Sequence, residues 1–418
     1  MRDRHSVSFR PLDFCFILGL WLALIGSAGC AREAPQSFEE QNGLLDPMAF
    51  DEAKDAFAEV EEAADGLGIH FNDSSCANCH PVPGKALPGG SSSVTELRAG
   101  HVEGGKFVPA AGGTLITLQA LPGFMSEVSV LTDSEKVQDR FISPSLFGLG
   151  FVEALADETL RGIAREQAVK TGNRIHGLVR EVDVLEAPGK TAVGRFGWAA
   201  QHASLLSFSA DAYRNEMGIT SALQPTDNTF FGQPVDDGVA DPEDTGGQFG
   251  EDVEFFASFM RALSAPPRVF PSDGGGRGDI DAGQKIFELI GCDTCHRSTL
   301  VTAATGSPMN GGAMSVPSAL GRKTIHPFGD FLMHDIGTGS PIVREGTPAE
   351  TGGKVRTAPL WGLGTRQNKS LPLLHDGSAK TLPEAIQRHR NTAAEEAAKF
   401  QQLPEADKAR VLRFLQSL

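Results

Sequence analysis

Aromatic hydroxyls and indoles are scarce in this chain of 418 residues, which has one tyrosine and three tryptophans against 26 phenylalanines. Aromatic anchors and oxidisable rings are therefore few. Positive charge is also in deficit: 37 Lys and Arg stand against 53 Asp and Glu, a net charge of −16. That excludes nucleic acid as a natural partner, and leaves a basic or neutral protein docking at a local patch. Long apolar runs are lacking, apart from residues 14–28. Those 15 residues are short for a membrane span and right for a signal segment, with Arg2, Arg4 and Arg10 ahead of them. We expect residues 1–29 to be a signal peptide. The run ends Ser27-Ala28-Gly29-Cys30, small residues before a cysteine, as at a lipoprotein cleavage site. Cys30 is then either the lipidated residue or an incidental cysteine at a plain cleavage site. The expected location is the periplasmic side of a bacterial membrane, touched only through a lipid anchor.

Cysteine is sparse too, with six in all. Cys15 lies in the signal segment and Cys30 at its end. The other four fall in Cys76-Ala77-Asn78-Cys79-His80 and Cys292-Asp293-Thr294-Cys295-His296. Each is C-x-x-C-H, the attachment signature of a c-type haem. In such a site Cys76 and Cys79, or Cys292 and Cys295, bond to the haem, and His80 or His296 ligates the iron. The alternatives are a redox C-x-x-C or half of a zinc site. Zinc needs four ligands, and a thioredoxin-type motif needs a βαβ setting that neither flank offers. Two covalently bound haems are the expected cofactors, with no cysteine pair left for a disulfide.

The two motifs belong to a repeat. Leu146-Phe147-Gly148-Leu149-Gly150 matches Leu360-Trp361-Gly362-Leu363-Gly364, 66 residues after His80 and 64 after His296. A recurring pattern at nearly equal spacing indicates a duplicated haem domain. Thr159-Leu160 and Thr381-Leu382 each open a helix, and Thr381 with Glu384 forms a capping box. Six residues before each Thr stand Glu153 and His375. One reading sets both over the haems. His375 then ligates haem 2, and Glu153, its pKa raised by apolar neighbours, shuttles protons at haem 1. The other has Glu153 cap the next helix and His375 bind a haem propionate.

The expected fold is mostly α: two cytochrome c-like haem domains with long ordered loops. Residues 30–65 read as a polar tether and an N-terminal helix, 66–265 as domain 1, 266–280 as a Gly-rich linker and 281–418 as domain 2. Pro81 to Gly113 reads as a loop over haem 1, in which His101 is either a distal ligand or a surface residue. Residues 224–250 are acidic and turn-rich, either a calcium site or a solvated loop. Met309, Met314 and Met333 are either sixth ligands or core filler. Trp198 and Trp361 are either hopping stations between the haems or space-filling core.

With these motifs in view, the chain resembles the bacterial di-haem oxidoreductases, peroxidase-like proteins sometimes labelled thiol oxidoreductases, related to di-haem cytochrome c peroxidases and MauG. The resemblance is carried by Phe71-Asn72-Asp73, Pro81–Lys85, Leu146–Gly150, Gly194–Trp198, Asn215–Thr220 and Leu374–Gly377. It implies a peroxidase-like enzyme in which haem 2 relays electrons to a reactive haem 1. The partners would be peroxide or another small oxidant and a small cytochrome or cupredoxin. In the related peroxidases a methionine ligates the second haem near the place held here by Val355. The alternatives are a pure electron carrier and MauG-like or oxygenase chemistry on an organic or protein substrate.

Overall fold

Two helix pairs set the frame. In the helix Pro47–Ala58, Phe50, Ala53 and Phe57 recur at helical spacing and are buried. Asp46 caps it, accepting from the backbone N–H groups of Met48 and Ala49. Its apolar stripe lies on the helix Glu251–Ala262, where the Phe57 ring meets Phe256 at 5.8 Å and Phe259 at 4.9 Å. The second pair is Arg277–Leu289 against Glu405–Gln416, with Phe287 and Phe414 in edge contact at 5.3 Å. Gly283 lets these two backbones touch, because a Cβ there would lie 2.1 Å from the Arg410 carbonyl oxygen. The helix Arg277–Leu289 leads directly into its C-x-x-C-H segment, a 3-10 turn at Cys292–Thr294, whereas the 3-10 turn Ala63–Asp65 and the strand His70–Phe71 separate Pro47–Ala58 from the α-turn at Cys76–Cys79.

The five-residue repeat does the same work twice. Gly148 and Gly362 sit in the left-handed region, at φ 75° and 79°, and start the helices Leu149–Glu153 and Leu363–Asn368. Two residues on, Gly150 abuts the Arg261 carbonyl and Gly364 the Gln416 carbonyl. An added Cβ would come within 2.3 and 2.1 Å of them. Each motif thus turns the chain and presses a short helix onto the last helix of its half.

The computed structural model describes residues 31–81, 90–132, 134–270, 276–344 and 347–418. Residues 31–418 form one compact unit. The signal segment 1–29, Cys30, residues 82–85 of the Pro81–Lys85 match and residues 271–275 of the Gly-rich linker lie outside the described residues. Among the described residues no helix is long and apolar enough to cross a membrane.

The helical expectation is met only in part. The stretch read as a loop over haem 1 contains the strand Val94–Glu103, which pairs antiparallel with Lys106–Pro109, Leu115–Ile116 and Val137–Ile142. Gly104 and Gly105, at φ 56° and 78°, make the two-residue hairpin turn. Leu97 and Ala99 are fully buried, and Arg98 and Gly100 beside them are buried too, so the strand carries no alternation of burial there. Glycine, proline and serine nearby gave the stretch the composition of a loop. His101 lies on this strand, its ring nitrogen 3.3 Å from a Glu135 carboxylate oxygen.

Residues 31–45 are also no free tether. Arg32–Glu33 pairs in parallel with Lys323–Thr324. Asn42 donates to the carbonyls of Arg261 at 2.7 Å and Leu263 at 3.3 Å. Polar composition suggested a solvated segment, but its backbone pairs with the second half and its Asn42 side chain bonds the backbone of the first.

Candidate functional site: two adjoining cavities

The C-x-x-C-H motifs open into two apolar cavities. Cys76, Cys79 and His80 line one of about 120 Å³, and Cys292, Cys295 and His296 line one of about 290 Å³. Ile142, Ser143, Pro144, Leu146, Gly197, Trp198 and Phe208 line both, so the cavities share a wall. Trp198 is fixed in it, donating its indole N–H to the Ile142 carbonyl at 2.8 Å. Trp361 lines the second cavity, but not the first.

Both histidines are held alike. His80 Nδ1 donates to the Pro144 carbonyl at 3.0 Å, and His296 Nδ1 to the Phe328 carbonyl at 3.0 Å. A carbonyl only accepts, so the proton sits on Nδ1 and the Nε2 lone pair remains for a metal. Burial pushes both pKa values down to about 4, which keeps the rings neutral ligands.

The thiols fit covalent attachment better than the alternatives. Among the described residues the four cysteines form no disulfide. Burial pushes Cys79 and Cys292 up to about 12, and Cys76 and Cys295 upward as well. A redox thiol needs an accessible thiolate, and among the described residues neither cysteine pair gathers the four ligands that zinc needs. Cys295, Asp330 and His334 do bring ligand atoms within 4.8 Å of one another. Yet His334 Nε2 and Asp330 form a buried ion pair at 2.8 Å. Burial opposes charge on His334, but the Asp330 carboxylate outweighs it and raises the pKa well above the usual value. An imidazolium has no lone pair to give a metal.

Buried donors await an anionic group in both cavities. Arg344 Nη2, Trp361 Nε1 and His375 Nε2 are buried without a hydrogen-bond partner. Arg356, in the second cavity, donates to the Gly197 carbonyl at 2.7 Å and the Thr357 carbonyl at 3.3 Å. Two apolar slots, each with a neutral imidazole from its C-x-x-C-H motif and buried cationic or N–H donors, fit haem and its propionates.

Glu153 is not where the repeat placed it, and the proton-shuttle expectation is corrected. It lines neither cavity. Its carboxylate receives Arg261 at 2.7 and 2.9 Å, the Leu205 backbone N–H at 2.7 Å and the Asn310 amide at 3.0 Å. Burial favours the protonated acid, but Arg261 and the other donors outweigh it and set the pKa below the carboxylate norm. It accepts the first backbone N–H of the helix Leu205–Ala212, which Ser204 caps, and acts as an ionised structural anchor. His375 does line the second cavity, at its Trp198 wall, 6.0 Å from that indole and 5.4 Å from Phe141 between ring centroids.

Four acids line the first cavity instead, Asp73, Glu96, Asp211 and Glu216, and of these Glu216 is the one whose pKa is raised. It lies on a π-helical turn, Tyr213–Met217, that continues Leu205–Ala212. Such turns concentrate at functional sites. Asn72 donates to its carboxyl at 2.6 Å. Burial, then the nearby Glu96 charge, pushes its pKa up to about 7. Glu96 is itself held ionised by Arg344 and Arg98 against the opposing effect of burial. The signal was in the sequence: Glu216 sits within the Asn215–Thr220 stretch that carried the resemblance, but no rule of spacing singled it out.

Two cavities back to back, each built on a C-x-x-C-H turn, define a two-centre redox protein. The chain belongs to the di-haem oxidoreductase family: residues 125–418 match the family described as "Di-haem oxidoreductase, putative peroxidase". Haem is the cofactor that this family implies. No curated protein matches the chain. Among solved structures, Kuenenia stuttgartiensis hydrazine synthase pressurised with xenon is similar at 14% identity and TM-score 0.40, over 98% of this chain and 100% of that one.

Proposed function

We propose that the chain is an exported, peroxidase-like c-type cytochrome with two cytochrome c-like modules, in which the second haem relays electrons to a reactive first haem. The observation that carries this is the asymmetry of the cavities. The first is lined by one histidine, His80, together with Glu216, whose pKa burial raises to about 7. The second is lined by four, His296, His334, His375 and His389.

A haem bound at each motif supplies iron for electron transfer and, where a face is open, for peroxide reduction. Cys76, Cys79, Cys292 and Cys295 would hold the haems by thioethers, and His80 and His296 would ligate the irons. Glu216, its pKa raised to about 7, would hold and exchange a proton beside peroxide bound in that cavity. Asn72 fixes its orientation. Arg344, Arg356 and Trp361 neutralise or bind propionates. Trp198 lies on the shared wall, placed to shorten electron passage.

Residues 1–29 act as the export signal and Cys30 as the lipid anchor in this account, which sets the protein on the periplasmic side. The electron donor is a small cytochrome or cupredoxin. The acidic 224–250 segment brings Asp227, Asp241 and Glu243 close together, with calcium as one reading. Peroxide turnover by purified holoprotein with a reduced cytochrome donor tests the proposal. Measurable consumption of donor and peroxide at two electrons per peroxide is expected. No turnover together with two low-spin haems would make the chain an electron carrier.

A further inference from the structure

We propose that His389 is the second axial ligand at the Cys292–His296 site, so that this haem is bis-histidine, six-coordinate and low-spin. The proposal rests on the reading that a haem is attached there.

His389 lines the same cavity as His296. Their ring centroids lie 6.4 Å apart, with planes inclined at 55°. Two imidazoles gripping one metal from opposite sides, each through a bond of about 2 Å, place their ring centroids about 6 Å apart. The pair is therefore spaced for one iron. His389 also carries the same fixing device as His296. Its Nδ1 donates to the Ala385 carbonyl at 2.8 Å, which leaves the Nε2 lone pair available.

The ring is preorganised from both sides. Upstream, Thr381 and Glu384 cap the helix Leu382–Gln387 reciprocally. Downstream, the Arg390 N–H donates to the Ile336 carbonyl at 2.8 Å and the Asn391 amide to Asp335 at 2.7 Å.

The competitors are placed worse. His334 Nε2 is engaged by Asp330 at 2.8 Å. The nearest ring neighbours of His375 are Phe141 and Trp198. Met309, Met314 and Met333 do not line the cavity. The first cavity lacks such a partner: among the described residues that line it, His80 is the one histidine. His389 thus closes the second haem to small oxidants, and the first is left without that ligand.

The test is electron paramagnetic resonance and near-infrared magnetic circular dichroism of oxidised holoprotein, for the native chain, His389→Ala, His389→Met and His375→Ala. The native protein should show one bis-histidine low-spin haem per chain. His389→Ala should lose it, gain a high-spin signal and recover low-spin character with added imidazole. His389→Met should move the near-infrared band to that of histidine–methionine ligation. An unchanged low-spin signal in His389→Ala, or its loss in His375→Ala alone, overturns the ligation. If the His389 variants fail to fold, a native near-infrared band of histidine–methionine type overturns it instead. The mass of the denatured chain separates the two readings. Two haems present with an unchanged spectrum defeats only the ligation, whereas absence of the second haem defeats the attachment beneath it.

Discussion

Glu216→Gln is the substitution that probes the reactive cavity most closely. Glutamine keeps the shape of the side chain and its hydrogen bond to Asn72, and removes only the exchangeable carboxyl proton. The native carboxyl is buried beside the ionised Glu96, and its pKa is raised from 4.5 to about 7. At about 1.4 kcal/mol per pKa unit, ionising it in place costs on the order of 3 kcal/mol relative to water. The sign follows from linkage. The folded pKa lies above the unfolded one, so the stability that Glu216 contributes is full below about 4.5 and is lost as pH rises through about 7. The variant has no such group. Urea unfolding at acid and at alkaline pH should therefore show the native chain losing stability relative to the variant as pH rises, by up to ~3 kcal/mol. Peroxide turnover should fall by about 10² to 10⁴, the usual contribution of a positioned acid–base group, with both haem spectra retained. A variant with native turnover, or a pH profile of stability parallel to the native one, would refute the role given to Glu216.

Glu153→Gln strips Arg261 of its buried counter-ion, so it should destabilise the fold by about 3–5 kcal/mol in urea titration. Its turnover per folded molecule should stay native; a specific catalytic loss would restore the shuttle role denied to it above. Gly150→Ala places a Cβ 2.3 Å from the Arg261 carbonyl, and Gly364→Ala one 2.1 Å from that of Gln416. Each should cost roughly 1–3 kcal/mol by overpacking, read as a lower melting temperature. Trp198→Phe should slow electron passage between the haems in stopped-flow reduction while leaving both optical spectra in place. An unchanged rate would leave Trp198 as wall and nothing more.

The parts of the site most legible in the sequence were those fixed by covalent chemistry. C-x-x-C-H carries its ligand set within five residues, and the matched glycines Gly148 and Gly362 mark turns that only a left-handed residue makes easily. The helices that precede the motifs were legible from their apolar spacing. The four-stranded sheet was not, because Gly104-Gly105 and its polar surroundings look alike in a loop and in a hairpin. Glu153 and His375 were paired by counting along a gapped repeat. The helix Asp157–Thr171 packs toward Thr294 and Asp330 through Gln167, so equal offsets do not put equivalent side chains over equivalent cavities. Glu216 and His389 depend on which helix closes over which motif, a long-range relation that no local pattern encodes.

The spin state of the two haems in the intact oxidised protein tests the central claim most directly. The account places an open iron at His80 beside Glu216 and a closed one between His296 and His389. Electron paramagnetic resonance of the oxidised holoprotein should therefore give high-spin and low-spin ferric signals in equal amounts. Peroxide added to the reduced protein should oxidise both haems. Two low-spin signals that do not change on adding a small iron ligand such as cyanide or azide would contradict it.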